Sequence, residues 1–320
     1  MLSPNTEAIL LLTANLADKE DGLNPLTINE WAKFSSFLIN EKLQPKDLLN
    51  NDLEIILKSF EDQKITIARI QKLTKRGARL AIVIDKWLKT GMWILTRADD
   101  EYPKRLKTKL KLKAPPVIYG FGNKKILNHR KILACVGSRN TSEEELLYSK
   151  SFGYLVSEEG CSLVSGASKG IDESSMMGAL EHDGTVIGVV SDSLIKRASS
   201  SIYREFIQKN NLVLISITNP EAPFNVGNAM QRNKMIYCLS DAAIVVVSGK
   251  EGGTISGALE NIRNKWVRLF VKESLDMTLG NIDIVKNGAQ WLPKDIQKIE
   301  FDDFFKGEKK ITIEQTSLDF

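Results

Sequence analysis

Between residues 132 and 271 the chain alternates short apolar runs with helical patterns, and no other feature limits its fold as tightly. The runs span 132–136, 162–164, 186–190, 212–215, 243–247 and 267–271. Near-continuous Val, Ile and Leu suit strands buried on both faces. Strands alternating with helices predict an α/β fold with a doubly wound, mostly parallel, Rossmann-like sheet. The first two runs stop in small residues with one cation each. Val136 gives way to Gly137-Ser138-Arg139, and Val164 to Ser165-Gly166-Ala167-Ser168-Lys169-Gly170-Ile171-Asp172. Loops at the carboxyl ends of parallel strands are where such sheets bind ligands. Small residues there let backbone N–H groups approach phosphate, and the helix N-termini that follow favour negative charge. The pattern predicts a phosphate-binding edge with Arg139 and Lys169 as its charged contacts.

Two further elements belong with these loops. Gln231-Arg232-Asn233-Lys234 lies on the helix before the fifth run, and Gly249-Lys250-Glu251-Gly252-Gly253-Thr254 opens a helix after it. The chain has no GxxxxGK[ST] and no GxGxxG, which disfavours a Walker loop and a bound NAD or FAD, so no cofactor is expected. Each element also has a plainer explanation. Asp172 can cap a helix, Arg232 and Lys234 can be a solvated helix face, and Gly252–Thr254 an ordinary turn. His129 and His182 have no evident nucleophile partner, so no catalytic residue is assigned. Cys135, Cys161 and Cys238 sit in apolar segments without a CxxC pair, which predicts reduced thiols and no metal site.

Composition bounds the rest. The 320 residues carry a net charge of +4, too mild to argue for a polyanionic partner. Its distribution says more: ten Lys or Arg residues and no Asp or Glu lie between Lys104 and Lys131. That stretch is either a solvated basic face or a track for a polyanion. Residues 1–92 read as a small helical domain, SAM-like or helix-hairpin-like, with a capping box at Thr27 and Glu30. Structural scaffold or protein contact is its favoured role, direct DNA binding the alternative. Residues 93–131 read as a basic extended connector joining the sheet, 132–295 as the Rossmann-like domain, and 296–320 as a short charged tail. Alternation over 109–113 predicts a short edge strand ended by Pro115-Pro116, and Thr141 with Glu144 predicts a second capping box. The N-terminus lacks a basic n-region, and no apolar stretch reaches the ~18 residues of a membrane span. A cytoplasmic protein with no membrane partner is expected.

Five stretches, taken in order, are similar to the DNA-processing protein A (DprA/Smf) family. They are Tyr102-Pro103-Lys-Arg-Leu106 with Pro116-Val-Ile-Tyr-Gly120, Val136-Gly-Ser-Arg139, Ser165 to Asp172, Arg232 to Ser240, and Gly252 to Ala258. The resemblance implies an extended Rossmann fold behind a small helical domain, and single-stranded DNA as ligand. It also implies a homodimer that serves the strand-exchange recombinase RecA. Carried onto this chain, it assigns phosphate contact to Gly137, Ser138, Arg139, Ser165, Gly166, Ala167, Lys169, Gly170 and Asp172. Arg232, Asn233, Lys234, Gly252, Gly253 and Thr254 complete the set. The chain departs from the family at Ser168 for Ala, Met176 for His and Lys234 for a second Arg, and a winged-helix domain is not expected. Transformation, general recombination and phage or plasmid defence all stay open as roles. Two other readings of the same loops remain. One is a nucleotide-ligand sensor; the other is a nucleotide phosphoribohydrolase, with Glu260 as its candidate acid.

Overall fold

The computed structural model describes residues 2–16, 23–50, 52–273 and 279–306. They form two compact units, one reaching to Tyr119 with Ile217–Asn219 added, the other holding Gly120–Ser216 and the chain from Pro220 onward.

The first unit is mostly helical, for local reasons. Ser3 caps the helix Pro4–Thr13 by accepting from the Thr6 N–H, and Pro4 stands at a position where its missing N–H costs nothing. The capping box of Thr27 and Glu30 starts the helix Ile28–Asn40, which buries Trp31, Phe34 and Leu38 along one stripe. Glu30 also receives Arg69 Nη1 at 2.8 Å, and that hydrogen bond holds its carboxyl down at about 2. Helices Ile67–Thr74 and Gly77–Leu88 complete the bundle, and a strand β1 (Trp93–Thr96) follows. One expectation fails here. Residues 109–113 are not a strand but the end of the helix Lys104–Leu110 and a 3-10 turn, Lys111–Lys113. Leu106, fully buried, sits one helical turn before Leu110, and this longer period outweighs an alternation carried by only two leucines.

Strand β2 (Val117–Gly122) carries the chain into the second unit. There β3 (Ile132–Val136), β4 (Ser162–Ser165), β5 (Thr185–Val189), β6 (Leu212–Ser216), β7 (Ala242–Val245) and β8 (Arg268–Lys272) match the six apolar runs to within two residues. A short β9 (Gln290–Leu292), too brief to show a period in sequence, follows them. The order across this unit is β6-β5-β4-β3-β7-β8-β9, and every one of these pairs is parallel. The fold is thus α/β, Rossmann-like, with the central strands fully buried, as their composition requires. The second capping box lies one residue later than expected. Ser142 Oγ, not Thr141, accepts from the backbone N–H of its partner, and that partner is Glu145. Thr141 instead donates its hydroxyl to the Glu145 carboxylate, so the three residues share one cap. Of the charged C-terminal segment, Asp302–Phe305 forms one helical turn. Its buried Phe304 packs edge-on against Phe152 and Phe270, while Glu308, Lys309 and Lys310 lie outside the described residues. Among the described residues, no helix is long and apolar enough to cross a membrane.

Candidate functional site

Strand order determines where a ligand can sit. From β3 the chain winds one way through β4, β5 and β6, and β7 with β8 and β9 continues on the other side. The order therefore reverses between β3 and β7, and a crevice is expected outside the carboxyl ends of these two strands, the usual binding place in an open α/β sheet. A cleft of about 590 Å³ occupies that position, wholly within the second unit.

Three elements build the cleft. The turn after β3 supplies Gly137, Ser138 and Arg139. Ser138 is tied to the far side by its N–H to Val247 O at 3.0 Å. The turn after β7 supplies Gly252, Gly253 and Thr254 at the start of the helix Gly253–Asn264. Thr254 Oγ1 donates to Gly137 O at 3.0 Å, which latches the two turns together. The helix Val226–Leu239 closes the cleft with Arg232 and Asn233, and Asn233 Nδ2 donates to Gly253 O at 3.0 Å. The floor is thus cross-linked by one backbone pair and by two side chains that donate to backbone carbonyls. The start of a 12-residue helix, with no side-chain cap, lines the opening, and the helix dipole there favours an anion. Arg139 is exposed at the rim, its guanidinium 5.2 Å from the centre of the Phe224 ring.

The loop after β4 does something else. Among residues 165–172, only Ser168 and Asp172 reach the cleft. Ser165 is fully buried and donates to Cys135 O at 2.6 Å, and Ala167 is buried at a positive φ of 51°. Arg232, only 4% exposed, reaches across to this loop: Nη1 donates to Asp172 Oδ2 at 3.4 Å and Nη2 to Ser168 Oγ at 2.8 Å. Burial pushes the Asp172 carboxyl up, while Arg232 and the backbone N–H groups of Gly137 and Ser168 offset part of that cost. Burial likewise pulls the Arg232 guanidinium down, and the charge of Arg139 adds to it. The small residues of this loop serve the pair. A Cβ on Gly166 would lie 1.5 Å from Arg232 Nη1, so only glycine leaves the guanidinium its place. Gly170 has φ +89°, and a Cβ there would meet Ser138 O at 2.6 Å. These glycines bring loop against loop rather than backbone against cleft.

Two other residues singled out in sequence stand apart from the lining. Lys169 is exposed beside the buried loop, and Lys234 pairs with Glu260 at 3.4 Å while lying over the Trp266 ring. Glu260 is therefore an ion-pair partner and not a lining residue. The three cysteines are free and buried, and the described residues hold no group of three metal-ligating side chains. His129 shares a hydrogen bond with Ser162 and His182 with Gly178 O. The ten cations of residues 104–131 are divided, six in the first unit and four in the second. Met176, which stands where the family has His, is fully buried and does not line the cleft. Ser168, the other departure in that region, is the acceptor for Arg232. Sequence reasoning missed Phe224, Val226 and Met230, all in the lining. Their signal was present in part: two large apolar residues, Phe224 and Val226, flank the cap Asn225.

Comparison with known proteins fits this architecture. Over 278 residues the chain is 25% identical to the DNA processing protein DprA of Bacillus subtilis, covering 81% of this chain and 91% of that one. It is 27% identical over 206 residues to the protein Smf of Synechocystis, covering 61% of this chain and half of that relative. The DNA processing protein A of Streptococcus pneumoniae shares the fold at 20% identity, with a TM-score of 0.70 over 94% of this chain and 100% of that one. A second solved relative, DNA processing protein A of Helicobacter pylori, was described for its mode of binding single-stranded DNA. It superposes with a TM-score of 0.54 at 22% identity over 62% of this chain and 90% of that one. The family described as DNA recombination-mediator protein A matches residues 93–301, well over half of the sequence, and the chain belongs to it.

Proposed function

We propose that this chain binds single-stranded DNA along the cleft between β3 and β7, through the sugar–phosphate backbone and without catalysing a reaction. One observation carries the reading. An exposed arginine, Arg139, and the open N-terminus of the Gly253–Asn264 helix share one rigid, cross-linked cleft at the switch point of the sheet. Both favour phosphate, and neither reads a base edge, so binding is sequence-tolerant and salt-sensitive. Family membership supports the same ligand. Gly137, Ser138, Gly252, Gly253 and Thr254 supply the backbone contacts in this reading, and Lys169 adds a peripheral charge. Arg232 acts mainly by holding the loop beneath. Assembly as a homodimer and delivery of the strand to a recombinase such as RecA, in the cytoplasm, complete the proposal. The test is binding of a mixed-sequence oligonucleotide across a salt series, with parent and Arg139→Ala. A clear loss of affinity and a shallower salt slope are expected. Equal binding by both proteins overturns the assignment of this cleft.

A mononucleotide is the second reading, favoured by a cleft of about 590 Å³, which suits a small ligand. Thermal stabilisation by mononucleotides, with no binding of oligonucleotides, selects it.

A further inference from the structure

The first unit carries a charged surface that has no part in the cleft. Its residues 104–113 read Lys-Arg-Leu-Lys-Thr-Lys-Leu-Lys-Leu-Lys, six cations in ten positions, and no Asp or Glu stands between Tyr102 and Ser142. The leucines anchor the segment. Leu106 is fully buried, Leu110 and Leu112 are partly buried, and the turn Lys111–Lys113 packs on the helix Ile28–Asn40. Cations fill the other sides: Lys104, Lys111 and Lys113 are exposed, and Arg105, Lys107 and Lys109 are partly so. Among the described residues, neither the Lys111 nor the Lys113 ammonium has an ion pair or a hydrogen bond. Asp99, Asp100 and Glu101 precede the helix, so positive charge is densest toward its far end.

The segment is held at both ends and strained at one point. Tyr102 Oη donates to Pro115 O at 2.7 Å, and Arg97 donates to Lys111 O. Lys111 has φ +51° and ψ −130°, a backbone shape that glycine takes freely and a residue with a Cβ takes only at a cost. A lysine there presents a charge where glycine would relieve the strain. Ten residues in this form span about 16 Å. A DNA duplex carries one phosphate charge per ~1.7 Å, roughly nine over that length, and one strand of it about half as many. Single-strand sites also add aromatic rings on which bases stack. Here the one aromatic residue of positions 100–113, Tyr102, is fully buried. Acidic proteins and anionic membranes are met through apolar side chains as well as charge. No large apolar side chain of positions 104–113 is strongly exposed.

We infer that residues 104–113 form a contact surface for the backbone of duplex DNA, separate from the cleft that takes the single strand. Five of its six cations are lysines, which meet phosphates as point charges and read no base sequence. One chain then holds two forms of DNA, the duplex on the first unit and the single strand on the second. The ligand that suits both is a duplex with a single-stranded tail.

The experiment measures binding of a fluorescent blunt duplex, and of oligothymidylate of equal length, to the full chain across a salt series. The parent is expected to bind both. Lys111→Gln combined with Lys113→Gln is expected to weaken duplex binding about tenfold and make its salt slope shallower by about one to two. Oligothymidylate affinity should stay within about twofold. Lys111→Arg is expected to keep duplex binding. Lys111→Gly, which removes the charge and the strain together, is expected to weaken it at a melting temperature no lower than the parent's. That separates a lost contact from a lost fold. Equal duplex binding by the parent and the double variant overturns the inference. So does an equal loss for both probes, since the surface would then lie on the path of the single strand. A parent that binds polyglutamate or phosphatidylserine-rich vesicles but no duplex overturns it too. If the double variant loses duplex while Arg139→Ala keeps full oligothymidylate binding, this surface stands and the cleft assignment falls.

Discussion

Two loops of this protein look alike in sequence and behave differently in the fold. The turn after β3 and the loop after β4 each end a buried strand in small residues with one cation. The first opens into the cleft with Arg139 exposed. The second turns inward and spends its small residues on a buried ion pair between Arg232 and Asp172. The difference comes from strand order. β3 borders the point where the sheet reverses and β4 does not, so the first loop lies along the crevice while the second reaches it only through Ser168 and Asp172. A glycine after a strand thus admits a ligand in one place and a neighbouring side chain in the other.

The largest effect should come from breaking the buried pair. Arg232→Ala leaves the Asp172 carboxylate desolvated and unpaired, and should cost about 3–5 kcal/mol in chemical denaturation. Gly166→Ala, which drives a methyl into the same guanidinium, should fall with it. If either variant keeps parental stability and loses only DNA affinity, the loop after β4 is a contact surface and the contrast collapses. Arg139→Ala should do the opposite. Its stability should stay within ~0.5 kcal/mol, while DNA affinity drops about tenfold and the salt slope falls by about one.

A control from the first unit comes next in size. Arg69 holds Glu30 at about 2, below its ordinary 4.5, so the charged carboxylate stabilises the folded state. That contribution is fully present above the ordinary value and fades as pH falls from about 4.5 toward 2. After allowance for solvent screening, Glu30→Gln should cost about 1 kcal/mol near neutral pH and should flatten the acid limb of the stability curve. DNA binding should not change if the site lies in the second unit alone. The smallest effect belongs to Lys169→Ala. Exposed and outside the cleft lining, it should leave stability unaltered and reduce DNA affinity less than Arg139→Ala does. A larger loss for Lys169→Ala would show that the strand runs over the loop after β4.

Much was legible before any coordinates. Near-continuous apolar runs between helical patterns determined a parallel α/β sheet, because strands covered by helices on both faces have no place for polar side chains. The capping residues marked several helix starts, since they satisfy N–H groups that the helix itself cannot. The motif residues Arg139, Arg232 and Gly252–Thr254 could be named, although Arg139 and Arg232 stand 93 positions apart and Arg232 and Gly252 stand 20 apart. Short-range patterns were less dependable where a longer period competed, as at residues 109–113.

Only the tertiary structure decided which of those residues share a surface. Strand order is set by packing over the whole sheet, not by any local pattern, and it put β7 rather than β4 across the crevice from β3. That choice set Gly252–Thr254 facing Arg139, buried Arg232 against Asp172, and left Phe224 standing beside both the cation and the opening. Residue types limit what each side chain can do; burial and neighbours then select which of those things it does.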